Sequence, residues 1–145
     1  MKKLMIAALA ATLGGPVAAT PLCDDLGFAG LLAKCNRGET IKLTLASGQP
    51  LGEDVVLQSG AYYKLEITAD GSAELAIEGP SFFRAIWMNE IVINKIEIRP
   101  MAVDSIEFDK AGVAELSFIA IKPGRHEIRI PGSTGDSQSV TISIQ

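Results

Sequence analysis

Ala61-Tyr62-Tyr63-Lys64-Leu65-Glu66-Ile67-Thr68 changes character at every step. Extended backbone sends successive side chains to opposite faces. Ala61, Tyr63, Leu65 and Ile67 then form an apolar face, and Tyr62, Lys64, Glu66 and Thr68 a polar one. Wound as a helix, the same residues would scatter around the circumference, so the stretch specifies a half-buried strand. Asp70-Gly71 follows as a hairpin signal, and Ala73-Glu74-Leu75-Ala76-Ile77-Glu78 reads as the returning strand.

The same period of two extends in both directions. Upstream, residues 41–45 alternate, residues 46–53 form a loop containing Gly and Pro, and residues 55–57 are a short apolar run stopped by Ser59-Gly60. Downstream, Gly79-Pro80 interrupts. Ser81 is placed to cap a short helical stretch carrying Phe82, Phe83, Ile86 and Trp87 at helical spacing. Strand pattern resumes over residues 91–99 and 105–108. Residues 113–121 are apolar on nearly both faces, as a central strand requires. Lys122-Pro123-Gly124 turns the chain, residues 125–130 put His126, Ile128 and Ile130 on one side, and Val140, Ile142 and Ile144 close the last strand. Roughly eight or nine such segments, with turns at short intervals and no crossover helices, describe an all-β fold: an antiparallel Greek-key β-sandwich preceded by a short N-terminal helix.

The ends of the chain carry different information. Lys2 and Lys3 precede an apolar run over residues 4–13 broken only by Thr12; Gly14, Gly15 and Pro16 then lead to Val17-Ala18-Ala19. That is the layout of a secretory signal peptide cleaved near Ala19, too short for the roughly 20 apolar residues of a membrane span. The expected organisation is residues 1–19 as signal and 20–145 as one domain, exported to the periplasm, with no membrane span after cleavage. Losing Lys2 and Lys3 takes the formal charge from −4 to −6, which disfavours nucleic acid and anionic membranes as partners. Cys23 and Cys35 are the only cysteines, and an oxidising compartment favours their pairing as a structural staple. Twelve residues of continuous helix would hold them roughly 18 Å apart, so the helical-looking segment between them must stop or bend, and Gly27 and Gly30 are available for that.

One stretch, Phe118-Ile119-Ala120-Ile121-Lys122-Pro123-Gly124-Arg125-His126-Glu127-Ile128-Arg129-Ile130, resembles the late strand pair of cupredoxin-like domains. The segment from Ile96-Glu97-Ile98-Arg99-Pro100-Met101 to Ile106-Glu107-Phe108-Asp109-Lys110-Ala111-Gly112 looks like the part of that family just before it. The resemblance implies a sandwich fold and a periplasmic setting. It also implies a test of chemistry, because a blue-copper centre takes two His, a Cys thiolate and often Met. No cysteine follows the Pro-Gly turn here and His126 is the sole histidine, so one copy of the chain cannot supply a type 1 site.

The remaining chemistry is sparse. Met88, Met101 and His126 could form a soft copper site if the fold gathers them; the plainer reading makes the methionines gap-fillers and His126 a core or rim residue. Phe82, Phe83, Ile86 and Trp87 either plug one end of the sandwich or form a patch for a partner. Lys95, Glu97 and Arg99, with Arg125, Glu127 and Arg129, would make a cross-strand charge ladder if their strands were neighbours. There is no G-x-S-x-G, no H-E-x-x-H, no zinc-type spacing and no phosphate-binding glycine loop. Adjacent acids such as Glu53 and Asp54 carry little weight alone. The sequence reading is a non-enzymatic, cofactor-free binding or accessory module for an unidentified periplasmic protein or small ligand, with copper handling as its competitor.

Overall fold

Tyr63, Leu65 and Ile67 are buried as their alternation requires, on a strand that lies inside a sheet. The computed structural model describes residues 21–145, so the export signal expected over residues 1–19 lies outside the described residues. Ten strands follow in order: β1 Arg37–Leu45, β2 Val55–Leu57, β3 Tyr62–Ala69, β4 Leu75–Glu78, β5 Ile86–Ile93, β6 Ile96–Ile98, β7 Ser105–Phe108, β8 Gly112–Ala120, β9 Gly124–Arg129 and β10 Ser139–Ile144. They form two five-stranded sheets, ordered β1-β3-β8-β5-β6 and β2-β10-β9-β4-β7. The one α-helical turn among the described residues, α1 Pro80–Phe83, precedes β5.

Apolar side chains from both inner faces make one core, in which Leu43, Leu65, Ile67, Ile77, Leu116, Phe118, Ile128 and Ile142 are essentially inaccessible to water. The expected central strand is β8, paired antiparallel with β3 on one side and β5 on the other. Over its second half the outer face is covered too: Ser117 and Ile119 are buried along with the inward Leu116 and Phe118. Most pairing is antiparallel, but β1–β3 and β10–β2 run parallel. β1 and β2 each lie at a sheet edge, and each pairs with a strand reached through the opposite sheet, the crossover that parallel pairing requires in place of a hairpin.

Asp70-Gly71 does not make a hairpin. Both edges of β3 are already taken, by β1 and β8, so the chain crosses to the other sheet, where β4 pairs with β7 and β9. The turn is nonetheless specified locally. Asp70 Oδ1 accepts the Ser72 N–H at 2.8 Å, and Gly71 sits at φ +76°, where a side chain would also meet Ala111 N at 2.7 Å. The converse error lies at residues 94–95. A single strand is expected over residues 91–99, yet Asn94 and Lys95 adopt φ 50° and 66° and fold β6 back on β5. Two successive positive φ values are the signature of a two-residue hairpin turn, here without the glycine that usually announces it.

At the N-terminus the expected helix is two 3₁₀ segments, Gly27–Leu32 and Lys34–Asn36, broken at Gly30, whose φ and ψ are 55° and −138°. That bend lets the sulfurs meet: Cys23 and Cys35 are disulfide-bonded with Cα atoms 5.8 Å apart. Asn36 ties the stapled segment to the sandwich. Fully buried, it accepts the Leu22 N–H at 2.8 Å and donates to the Leu31 and Gly60 carbonyls at 2.9 Å each.

Candidate functional site

β6 covers only the second half of β5, pairing Ile91, Val92 and Ile93. The first half of β5 is left with an uncovered edge, and the connection after β6 crosses beside it. A groove of about 640 Å³ results, lined by Phe83, Arg84, Ile86, Trp87, Met88 and residues 100–104. Trp87 is half exposed and Met101 fully so, which makes the groove an apolar surface feature with Arg84 and Asp104 on its walls.

The aromatic cluster, which the sequence allowed as either a plug or a patch, is therefore divided. Phe82 and Phe83 are buried, so they belong to the core and cannot serve as an exposed docking surface. Phe82 packs edge-on against Phe118 at 5.3 Å, which is the plug over the sandwich end. Ile86 and Trp87 lie on β5 rather than on a helix. Helical spacing misleads here because α1 is a single turn. Pro80 opens it and Gly79, not Ser81, is its N-cap.

Met88 and Met101 line the same groove, but His126 is not among its walls. His126 lies on β9 in the opposite sheet, partly exposed, with Nε2 3.2 Å from the Lys122 carbonyl. Type 1 copper also fails on ligands: both cysteine sulfurs are consumed in the disulfide and there is one imidazole. Glu97 and Arg125 cannot share a charge ladder, because β6 and β9 belong to different sheets. The charges pair locally instead, Arg99 with Glu90 and Glu97 at 3.1 and 3.2 Å and Arg129 with Glu127 at 3.1 Å.

A second recess, of about 290 Å³, lies on the outer face of the first sheet and escaped the sequence reading. Arg37, Tyr62, Lys64, Glu90, Glu115 and Ser117 line it; Lys64 meets Glu115 at 2.7 Å and Arg37 stands 5.1 Å over the Tyr62 ring. Its residues come from four strands, so only the strand order brings them together.

Near the sheet-to-sheet turn, the exposed carboxylates of Glu74, Glu107 and Asp109 lie within 4.8 Å of one another. A hydrogen bond with Glu107 and the charges of Asp109 and Glu107 raise the Glu74 pKa, while hydrogen bonds from Ser72 lower that of Asp70. The two act on stability with opposite sign. The Glu74 contribution is present below its ordinary value and lost as pH rises through the raised one; the Asp70 contribution is present above its ordinary value and lost as pH falls through the lowered one. Carboxyl-carbon NMR should show Glu74 titrating above Asp70 by more than two unperturbed side chains would, and Glu107→Ala should return Glu74 toward an ordinary glutamate.

The molecule is similar to the blue copper oxidase of Nitrosomonas europaea, with a TM-score of 0.52 and 12% identity over 72% of this chain and 43% of that one. It is also similar to a multi-copper oxidase from Pseudomonas thermotolerans, with a TM-score of 0.53 and 15% identity over 90% of this chain and 33% of that one. The fold is that of a cupredoxin-like β-sandwich domain, and the chain spans less than half the length of either oxidase. No protein-family model matches the sequence, and no curated protein shows a significant match.

Proposed function

We propose that the chain is an exported, non-catalytic accessory module that binds a protein partner through the groove beside Trp87. The observation that carries this reading is the groove itself: Trp87 and Met101 expose apolar surface beside Met88 and Val103, with Arg84 and Asp104 to orient a partner. Indole and thioether groups with a charged rim make favourable interface anchors. A protein surface fits better than a small molecule. Small ligands are held with roughly 70–90% of their surface enclosed, whereas Met101 projects fully into solvent. Export is supported by the leader-like residues 1–19 and by the Cys23–Cys35 bond, which an oxidising compartment maintains. A non-catalytic role is consistent with the missing blue-copper ligands.

Photo-crosslinking in intact cells tests it. A photoreactive residue in place of Met101 should give a discrete adduct with another protein, while the same residue in place of Lys110, outside the groove, should give none. Equal labelling at both positions, or none at Met101, would contradict the reading.

The second reading, reduced-copper handling, is favoured by the two thioethers on one groove. Titration of the purified protein with Cu(I) separates the two. The accessory reading expects no stoichiometric tight binding. Tight binding that Met88→Leu or Met101→Leu abolishes would establish copper handling instead, and His126→Ala would show whether the imidazole takes part.

A further inference from the structure

We infer that β6 is a self-association edge, on which a second copy of this chain pairs antiparallel and joins the two first sheets into one. The strand ends the order β1-β3-β8-β5-β6, so its far side has no strand neighbour among the described residues. It also carries uncovered apolar side chains. Ile96 is 64% exposed and Ile98 44%, although both share the inward face of the sheet with the buried Ile91 opposite Ile98. Core-type residues stand at the mouth of the sandwich, largely uncovered by the described residues.

The backbone fixes which groups are free. In a two-residue hairpin the flanking pair, Ile93 and Ile96, exchanges both ladder bonds, and bonded and non-bonded pairs then alternate. Ile96 and Ile98 therefore turn their N–H and C=O groups toward β5, whereas Glu97 turns its groups outward, and continuing the alternation one residue past the end of β6 turns those of Arg99 outward as well. Pro100, in phase with Ile98, lacks only an inward-facing donor, so it leaves the outer edge intact.

Charge selects one register. An antiparallel two-fold pair centred on Ile98 sets Glu97 opposite Arg99 of the second copy, and the reverse, so both outward-facing residues bond and both charge pairs are opposite in sign. Centring on Glu97 would place carboxylate against carboxylate and Arg99 against Lys95; centring on Arg99 would oppose two guanidiniums. Centring on Ile96 would call on Lys95, which sits in the hairpin turn at φ 66° and outside the strand, so the Ile98-centred register is the self-complementary one the edge can form. It also puts Ile98 against its own copy and Ile96 against Pro100, enclosing exposed apolar surface. Arg99 already lies within 3.2 Å of Glu97 and Glu90, so the second copy completes a carboxylate–guanidinium network that exists in part.

The test is sedimentation of the exported chain over a range of concentrations, with circular dichroism verifying that each variant keeps its sheet. The wild type should show a reversible monomer–dimer equilibrium. Arg99→Glu opposes carboxylates at both symmetry-related positions and should weaken the dimer about tenfold or more. Combining it with Glu97→Arg restores opposite signs and should bring the dimer back to within about threefold of wild type. Ile98→Lys, at the two-fold axis, should abolish it without touching the charge pairs. A wild type that stays monomeric at every concentration would mean that Lys95, Glu97 and Arg99 guard the edge against pairing, and would overturn the proposal. So would a dimer that Arg99→Glu and Ile98→Lys leave unchanged.

Discussion

Phe118→Ala is expected to cost about 3–5 kcal/mol of unfolding free energy, a large share of the 5–15 kcal/mol typical of a domain. Phe118 is wholly buried on β8, the middle strand of the first sheet, with neighbours on both sides. Its ring meets Phe82 edge-on at 5.3 Å and Tyr63 at 6.1 Å, so truncation opens a cavity where α1 and the first sheet converge. Backbone pairing across β8 prevents the site from collapsing around the void, which places the cost toward the upper end. Urea denaturation should show a lower midpoint with an unchanged slope. Val113→Ala, on the same strand but exposed, should change stability by less than about 0.5 kcal/mol.

The second large effect concerns the N-terminal staple. Replacing Cys23 and Cys35 together with serine should cost about 3 kcal/mol, the chain-entropy value for a loop of this length. Asn36→Ala should cost about 2–3 kcal/mol by a different route, leaving the Leu22 N–H and the Leu31 and Gly60 carbonyls without their partner. The two losses should not add. Each releases the same segment, so once the bond is gone the freed backbone hydrates and the Asn36 change matters less. Hydrogen exchange should locate both effects at residues 21–36 and leave β8 protected; loss of protection throughout the sheets would refute a local role for the staple.

What could be read from sequence and what could not divide along a physical line. Alternation in residues 61–68 depends on nearest neighbours, so it gave the strand and its buried face correctly. Hydrophobicity on both sides of residues 113–121 marked the central strand, because both of its faces are covered over the second half, at Ser117 and Ile119 outside and Leu116 and Phe118 inside. Strand partners are a long-range property. Asp70-Gly71 signals a turn but not which sheet receives the chain, and only the occupation of both β3 edges decides that. Asn94-Lys95 hid a hairpin because its left-handed conformation is carried by residues other than glycine. The candidate site suffered most. Trp87 and Met101 are fourteen positions apart in the chain, and only the shortness of β6 brings them to one groove. His126 has the parity of Ile128 and Ile130, as expected, yet parity could not reveal that it lies away from both methionines.

A cupredoxin-like frame with the proposed binding role should assemble no blue-copper centre. Adding Cu(II) to the purified, disulfide-intact protein and recording its visible absorption tests that most directly. The account predicts no intense thiolate-to-copper band, because both sulfurs are bonded to each other and one imidazole is too few. A strong band growing to one copper per chain would contradict it.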